Sequence, residues 1–347
     1  MPEKLGQNFL KDKTIAEKIV KAADLKPSDF VIEIGPGKGI LTEEIAKRAK
    51  KVIAIEIDRK LVDYLRRKFI NKKNIEIINN NILKINLLEL QNLFSVIPAQ
   101  AGIQNVNTKP NNSIPASPAG RLDSRSPIGA EDKLRGNDME RKSDIEDKYL
   151  RYKVVANLPY YITSPVIRMF LESEYSPREM ILMVQKEVAE RIVAPPGKMS
   201  ILSVSVQYYA RPEILFYVDK KSFNPVPQVD SAVIKVASRK YQVSSGEDKK
   251  LSLWKRGKAS EAKRGDLKTS KKGKLSENSK AKEKSKKFFK IVRAGFCARR
   301  KTLVNNLSNS LRLDKKEVQE KIKAAGILPT ARAQELSVED WKKLSDL

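Results

Sequence analysis

Between residues 30 and 236 the sequence alternates short apolar runs with segments of helical periodicity, and this order constrains the fold more than any other feature. The first run, Phe30 to Gly35, precedes a predicted helix, Gly39 to Ala49. Six more runs have the length of strands, at 52–57, 75–78, 153–156, 180–185, 213–218 and 231–236, and further helices are predicted at 59–69, 164–171, 187–193 and 201–209. This alternation predicts an α/β fold in which helices cover both faces of a mostly parallel, seven-stranded sheet.

Helical segments flank this α/β region on both sides. Ahead of it, Thr14 and Glu17 form a predicted capping box at the start of a helix. After residue 287 the apolar spacing is helical to the end of the sequence. We therefore expect a larger α/β domain over 1–238 and a small helical domain over 288–347.

Two segments lack the apolar periodicity of a core. Residues 95–149 are rich in Pro, Asn, Ser and Gly, and residues 239–287 contain 18 basic and 6 acidic residues. We expect a disordered surface insertion in the first case and a disordered linker in the second. A loose grip of the lysine-rich segment on RNA phosphates is the competing interpretation.

The composition excludes several kinds of catalytic site. The sequence has no histidine, so neither a histidine triad nor a histidine metal centre is possible, and its single cysteine, Cys297, forms no intramolecular disulfide and no Cys-cluster metal site. No apolar stretch is long enough to cross a membrane, and we expect a soluble, cytoplasmic, monomeric protein without a metal. A net charge of +27 favours an anionic partner, with nucleic acid preferred to a membrane surface.

A glycine-rich turn follows the first predicted strand and contains Gly35, Gly37 and Gly39. In α/β folds ligands bind at the carboxyl edge of the sheet, where glycines let them approach the backbone closely. The G-x-G-x-G spacing differs from the dinucleotide fingerprint, and Glu33 would repel a pyrophosphate but attract a sulfonium cation. Glu56, which ends the second strand, is placed to accept hydrogen bonds from ribose hydroxyls. These features favour S-adenosylmethionine over a dinucleotide, and a tight strand–helix turn without a ligand is the competing interpretation.

The segment Asn157-Leu158-Pro159-Tyr160 follows another predicted buried strand, so it belongs at the same edge of the sheet. The lone pair of adenine N6 is delocalised into the ring and attacks poorly unless its N–H groups are held by acceptors. The Asn157 side-chain oxygen and the Leu158 carbonyl are suitable acceptors, and Tyr160 offers a ring on which a base can stack. Because methyl transfer from a sulfonium depends mainly on positioning, this chemistry needs no histidine.

An ordered series of segments resembles the KsgA-type dimethyltransferase family, which modifies adenosines of small-subunit ribosomal RNA. The matching segments are GQNFL (6–10), EIGPGKGILT (33–42), IEID (55–58), NLPYYITSPVI (157–167), VQKEVAERIVAPPGK (184–198), FNPVPQVDSAV (223–233), FCARRKTLVNNL (296–307) and RAQELS (332–337). The resemblance implies a Rossmann-like class I methyltransferase fold for 1–238 and S-adenosylmethionine as the cofactor. It also implies dimethylation of N6 on two adjacent adenosines near the 3′ end of 16S rRNA, with the pre-30S particle as partner.

The resemblance also assigns roles to residues. The implied cofactor-binding set comprises Gln7, Asn8, Leu10, Glu33, Gly35, Gly37, Glu56, Ile57, Asn81, Ile82 and Asn157. The implied catalytic set comprises Asn157, Leu158, Pro159, Tyr160 and Phe223, with Phe223 as a second ring against the adenine. The implied RNA-binding set comprises Arg299, Arg300 and Lys301. Core packing is the competing interpretation for Phe223, a helix-leading loop for Gln7 and Asn8, and a solvated helix face for the basic cluster.

One position departs from the pattern of the resembling family. Asn81 stands where its members usually carry an aspartate that accepts a hydrogen bond from the cofactor's adenine amino group. An amide oxygen can accept the same bond without the assistance of a charge, so we expect cofactor binding to be weaker by about 1 kcal/mol.

Three other functions compete with this interpretation. An Erm-type methyltransferase acting on large-subunit rRNA would have nearly the same fold and pocket. A non-catalytic ribosome-assembly or nucleic-acid-binding relative is disfavoured by the intact Glu33, Glu56, Asn157 and Tyr160. A nicotinamide-dependent dehydrogenase lacks the expected glycine spacing and a histidine acid.

Overall fold

The computed structural model describes residues 8–90, 152–241 and 267–346, and a seven-stranded sheet organises the first two of these ranges. The strands of the sheet are β2 (Phe30–Ile34), β3 (Lys51–Glu56), β4 (Ile75–Asn79), β5 (Tyr152–Asn157), β6 (Glu179–Gln185), β7 (Ala210–Val218) and β9 (Ser231–Ser238). Two further short strands, β1 (Phe9–Leu10) and β8 (Phe223–Asn224), pair with each other outside the sheet.

The sheet has the strand order β4-β3-β2-β5-β6-β9-β7. The first five strands in this order are parallel to one another, whereas β9 is antiparallel to both β6 and β7. The predicted seven-stranded, mostly parallel sheet is therefore confirmed. The chain runs outward from β2 to β4 and then returns to β5 on the other side of β2. Ligands of open α/β sheets bind at such a reversal, at the carboxyl ends of the strands.

Helices cover both faces of the sheet, as predicted. They are α1 (Lys13–Ala22), α2 (Ile40–Ala46), α3 (Arg59–Lys68), α4 (Thr163–Glu172), α5 (Lys186–Ile192) and α6 (Ile201–Tyr209). Alternate strand residues point to opposite faces, so Val155 packs toward α1 and α2 while its neighbour Val154 packs toward α4, α5 and α6. Both side chains are fully buried. Burial on both faces explains why the strands read as continuous apolar runs.

The start of α1 differs from the prediction. Its N-cap is Asp12, whose carboxylate accepts hydrogen bonds from the Thr14 backbone N–H at 2.9 Å and from the Thr14 hydroxyl at 2.6 Å. The predicted capping box of Thr14 and Glu17 is therefore wrong. A carboxylate two residues upstream competes for the same orphan N–H groups and begins the helix two residues earlier, at Lys13.

The C-terminal part of the chain is helical. It consists of α7 (Leu267–Gly295), α8 (Leu303–Leu311), α9 (Lys315–Ala324) and α10 (Val338–Asp346). These helices share a core centred on Trp341 and Phe288, to which α6 contributes Val204. Rings from both parts of the chain meet there, because Tyr208 of α6 lies 4.2 Å from Phe288 between centroids.

The predicted disordered linker over 239–287 is wrong for residues 267–287, which form most of α7. Lysine and glutamate have good helix propensity, and the buried Phe288 and Phe289 fix the C-terminal end of the same helix. The remainder of that segment from 242 to 266 and the predicted insertion at 95–149 lie outside the described residues. The domain boundaries stay a prediction, because α6 contributes to the cores of both parts.

Candidate active site

A cavity of about 440 Å³ opens at the carboxyl ends of β2, β3 and β5, at the reversal of the strand order. Its lining includes fourteen residues that the sequence analysis assigns to the cofactor-binding or catalytic sets: Asn8, Leu10, Glu33, Gly35, Gly37, Glu56, Ile57, Asn81, Ile82, Asn157, Leu158, Pro159, Tyr160 and Phe223. Gln7 lies outside the described residues. The structure thus brings the described members of both sets to one cavity.

The glycine turn between β2 and α2 forms one wall. Gly35, Gly37 and Gly39 all have positive φ angles, of 65°, 56° and 75°. A Cβ on Gly37 would lie only 2.9 Å from the ring of Phe9, whereas real Cβ contacts are longer. The turn therefore needs glycine at position 37 for two reasons, its left-handed backbone and the close approach of the N-terminal strand.

Glu56 at the end of β3 holds this wall in place. One carboxylate oxygen accepts hydrogen bonds from the backbone N–H groups of Ile57 at 2.9 Å and Asp58 at 3.0 Å, and the other accepts from Gly37 at 3.3 Å. Burial raises the pKa of Glu56, and these backbone hydrogen bonds oppose the rise. The side chain therefore connects the end of β3 to the glycine turn and presents its carboxylate to the cavity.

Glu33 is buried in β2 beneath the same turn and is only 1% exposed. Its Oε2 atom has no hydrogen-bond partner among the described residues. Desolvation is the main cause that raises the pKa of Glu33 to about 8, and the negative charge of Glu56 adds to the rise. A buried carboxyl group without a partner for one oxygen favours a ligand that brings a hydrogen-bond donor or a positive charge.

Asn81 follows β4 and is the N-cap of a short 3-10 turn, Ile82–Lys84. Its side-chain oxygen accepts a hydrogen bond from the Leu83 backbone N–H at 3.0 Å. Asn80, which also lines the cavity, accepts from the Asn81 backbone N–H at 2.7 Å. The Asn81 oxygen is thus already engaged in shaping the turn, although an amide oxygen has room for a second donor.

The turn that follows β5 lies directly against the glycine turn. A Cβ on Gly35 would be 3.8 Å from Pro159 Cδ and 3.9 Å from the Asn157 carbonyl oxygen, so the two turns are within van der Waals distance. The Leu158 backbone N–H donates a hydrogen bond to the Met183 carbonyl oxygen at 3.1 Å, which fixes the turn to β6. The half-buried Asn157 side chain makes no hydrogen bond to another described residue, so its amide is free to bind a ligand.

Tyr160 and Phe223 occupy different environments. The Tyr160 hydroxyl lies 3.4 Å from the Ser231 hydroxyl, which ties the ring to the start of β9. Phe223 borders the cavity, but it is 1% exposed and belongs to the hydrophobic core with Leu10 and Val218. Its position agrees with the packing interpretation in this conformation, and its role as a second ring against adenine stays a prediction.

The pairing of β1 with β8 explains how two segments far apart in the sequence both reach the site. Phe9 pairs with Asn224 and Leu10 with Phe223, and the Lys11 N–H donates to the Ser222 carbonyl at 3.0 Å. Sequence reasoning missed Phe9 as a lining residue, although it stands between Asn8 and Leu10 in the same segment. A two-residue strand has too little periodicity to be recognised in a sequence.

The basic cluster lies outside the cavity lining. Arg299, Arg300 and Lys301 are exposed on the turn between α7 and α8. In the part of the chain that the structure describes, none of them forms an ion pair with an acidic side chain. The cluster is therefore available to a partner of negative charge.

Two kinds of feature are absent from the described ranges. No helix there is long and apolar enough to span a bilayer. No group of three or more Cys, Asp or Glu side chains is suited to hold a metal ion within residues 8–90, 152–241 and 267–346.

Comparison with known proteins assigns the chain that forms this cavity to a protein family. The family model for ribosomal RNA adenine dimethylase matches residues 2–257. The chain belongs to the ribosomal RNA adenine dimethylase family. This confirms the resemblance seen in the sequence and makes the protein an S-adenosylmethionine-dependent rRNA methyltransferase.

Curated relatives match this dimethylase over nearly its whole length. It is 36% identical over 340 residues to a ribosomal RNA small subunit methyltransferase A of Dehalococcoides mccartyi, covering 98% of this chain and 86% of the relative. It is 34% identical over 346 residues to the protein of that name from Caldanaerobacter subterraneus, with 99% and 96% coverage.

Solved structures agree with the dimethylase fold. A dimethyladenosine transferase from Plasmodium falciparum has a TM-score of 0.60 and 22% identity, and covers 97% of this chain and 95% of that one. The 23S rRNA methyltransferase ErmE has a TM-score of 0.57 and 21% identity, with 98% coverage of each chain. At these identities the likeness supports the fold and does not distinguish between rRNA targets.

Proposed function

We propose that this dimethylase transfers methyl groups from S-adenosylmethionine to N6 of two adjacent adenosines near the 3′ end of 16S rRNA, in the pre-30S particle. The single observation that carries the proposal is the contact between the Asn157–Tyr160 turn and the glycine turn, since it puts a base-binding element and a cofactor-binding element in one cavity. The curated relatives at 34–38% identity are named as small-subunit enzymes, which supports the 16S target over a 23S target.

The residues of the cavity fit S-adenosylmethionine. The orphaned oxygen of Glu33 suits a ligand with cationic groups, and the bare backbone at Gly37 leaves room for a close approach. Glu56 presents buried carboxylate oxygens that can accept hydrogen bonds from ribose hydroxyls. When bound, S-adenosylmethionine supplies a methyl group that its sulfonium has already activated.

The residues of the chain position the base. The free Asn157 amide oxygen and the Leu158 carbonyl accept the two N–H groups of adenine N6, which directs its lone pair away from the ring plane. The Tyr160 ring stacks on the base and stabilises the positive charge that develops on the nitrogen. Outside the cavity, Arg299, Arg300 and Lys301 contact rRNA phosphates and hold the substrate in register.

The direct test is incubation with methyl-labelled S-adenosylmethionine and small subunits that lack the modification, followed by nucleoside mass spectrometry. We expect N6,N6-dimethyladenosine at two adjacent positions near the 3′ end of 16S rRNA. Large subunits provide the comparison, and labelling of 23S rRNA instead would overturn the proposed target. Binding of small subunits with no labelled nucleoside in either particle would assign the protein to a non-catalytic role.

The division of roles predicts different effects for two substitutions. Asn157→Ala should lower kcat by about a hundredfold or more with little change in S-adenosylmethionine affinity, because its hydrogen bond matters most in the transition state. Glu56→Ala should weaken cofactor binding by about thirtyfold, since it removes charge-assisted hydrogen bonds and loosens the glycine turn. Calorimetry and single-turnover methylation measure the two quantities separately. Parallel losses of both in each variant would contradict the assignment.

A further inference from the structure

The turn between α7 and α8 carries three exposed cations on a backbone with little secondary structure of its own. Arg299, Arg300 and Lys301 follow the last residues of α7 and precede Thr302, the N-cap of α8. Two lysines of α7 do form ion pairs, since Lys282 pairs with Glu174 at 3.1 Å and Lys284 pairs with Asp346 at 3.0 Å. The turn thus concentrates positive charge that no described acidic residue compensates.

One buried side chain holds this turn from within. Asn306, in the first turn of α8, is 3% exposed. Its Nδ2 donates hydrogen bonds to the Gly295 carbonyl at 2.6 Å and to the Ala298 carbonyl at 2.9 Å. The Ala298 carbonyl also accepts from the Lys301 backbone N–H at 3.1 Å. A single amide therefore bridges the end of α7 and the start of the basic turn.

The chemistry of the position selects asparagine. Two carbonyl groups at the end of a helix need two hydrogens, and the Asn306 Nδ2 atom supplies both. An aspartate there would oppose its carboxylate to both carbonyl oxygens, and an apolar side chain would remove the side-chain donor to the Gly295 carbonyl and one of the two donors to the Ala298 carbonyl. Gly295, at the end of α7, packs closely as well, because a Cβ at this position would overlap the ring of Trp341.

We propose that the buried Asn306 amide locks the 299–301 turn in the shape in which its three cations contact rRNA, which makes Asn306 a positioning residue for RNA binding. The inference rests on the proposed function, since it takes rRNA as the partner of the turn. It goes further by identifying an uncharged, buried residue that controls the contact without touching RNA. Preordering the turn lowers the conformational entropy lost when the cations are fixed on the phosphates.

The test compares variants for their affinity to small subunits that lack the modification, measured over a range of salt concentrations. Asn306→Asp and the uncharged Asn306→Ser remove the amide with its two N–H donors, since an ionised carboxylate donates no hydrogen bond and a serine hydroxyl donates at most one. Asn309→Asp is the matched control, because it makes the same charge change on an exposed residue of the same helix. A triple variant, Arg299→Ala with Arg300→Ala and Lys301→Ala, removes the cations themselves, and it is combined with Asn306→Ser to complete a double-mutant cycle.

We expect both Asn306 variants to bind subunits about tenfold more weakly than the wild type. The slope of the logarithm of the binding constant against the logarithm of the salt concentration should become shallower by about one for each phosphate contact that is lost. Asn309→Asp should change the affinity less than twofold. In the triple-alanine background Asn306→Ser should cause no further loss, because the turn then has no cations to position. S-adenosylmethionine affinity, measured by calorimetry, should stay unchanged in every variant.

Several results would overturn the inference. Wild-type subunit affinity in both Asn306 variants, or additive losses in the cycle, would show that the amide does not act through the cations. Loss of cofactor binding in both variants would show that Asn306 supports the fold as a whole. Unchanged affinity in the triple variant would remove the turn from the RNA interface, while methylation by the wild type would still support the proposed function.

Discussion

At the scale of single residues, Glu33 shows how the cavity is suited to a cationic ligand. The carboxyl group is buried at the end of β2, and burial raises its pKa from an ordinary value of 4.5 to about 8. A carboxyl group with this pKa is mostly protonated and neutral below pH 8, whereas a sulfonium or ammonium group nearby favours its ionised form. We therefore expect cofactor binding to be coupled to the loss of a proton from Glu33.

This coupling predicts that S-adenosylmethionine affinity rises with pH up to about 8 and then levels off. The stability of the folded state has the opposite pH dependence. The folded state holds the Glu33 proton more tightly than the unfolded state does, so the free energy of unfolding falls as the pH rises from 4.5 to 8. Glu33→Gln should thus have the Tm of the wild type near pH 4.5 and a higher Tm above pH 8, and its cofactor affinity should lose the pH dependence. Thermal unfolding and calorimetry across this range, with the exposed Glu187→Gln as control, measure both effects. A pH-independent difference in Tm would contradict the coupling.

Asn81 supports a second prediction at the residue scale. Its oxygen already accepts the Leu83 N–H at 3.0 Å, and a carboxylate at this position could accept the same bond and offer a charged oxygen to the adenine amino group. Asn81→Asp should therefore tighten S-adenosylmethionine binding by about fivefold, which corresponds to about 1 kcal/mol. Calorimetry measures the change, and Asn80→Asp is the control for the added charge. Equal tightening in both variants would show that the effect is a general electrostatic one.

At the scale of elements, the N-terminal strand β1 closes the site against the glycine turn. Gly37 has a φ of 56°, and a Cβ on it would lie 2.9 Å from the Phe9 ring, so Gly37→Ala strains the turn and displaces β1. We expect about 1–2 kcal/mol of lost stability from the left-handed backbone alone, and a further loss of cofactor affinity from the clash. Gly326→Ala is the matched control, because φ is 76° there and nothing lies within 4 Å of the added Cβ. Urea unfolding and calorimetry should show destabilisation in both variants and weaker S-adenosylmethionine binding only in Gly37→Ala.

What the sequence could predict also depends on the element. Glu33, Glu56 and Asn157 lie at or next to the ends of buried strands of five or six residues, and parallel strands bring their carboxyl ends to one edge, so their meeting follows from periodicity alone. The contact of Phe9 with Gly37 could not be foreseen, because it depends on pairing between two-residue strands more than two hundred residues apart. Composition gave a wrong prediction for part of the lysine-rich segment, since residues 267–287, predicted to be a linker, form most of α7.

At the scale of the whole molecule, the catalytic cavity and the positive charge are largely separate. The described lining of the cavity is mostly apolar, with Glu33 and Glu56 as acidic groups and Lys38 as the basic one. The chain carries a net charge of +27, and the exposed basic turn at 299–301 belongs to the helical part beyond the sheet. Under the proposed function, long-range attraction to rRNA and the positioning of one adenine therefore belong to different regions, and we expect that they can be changed independently.

This separation predicts the effect of deleting residues 249–266, which contain seven basic and two acidic residues. The deletion ends before α7, so the ion pairs that this helix forms through Lys282 and Lys284 are kept. We expect methylation of small subunits at saturating concentration to continue, whereas subunit binding should depend less steeply on salt because fewer counterions are released. Methylation and binding assays from low to high salt test this, with a deletion variant that keeps its net charge through added surface lysines as control. Loss of methylation at saturating substrate would mean that this stretch contributes to the active site itself.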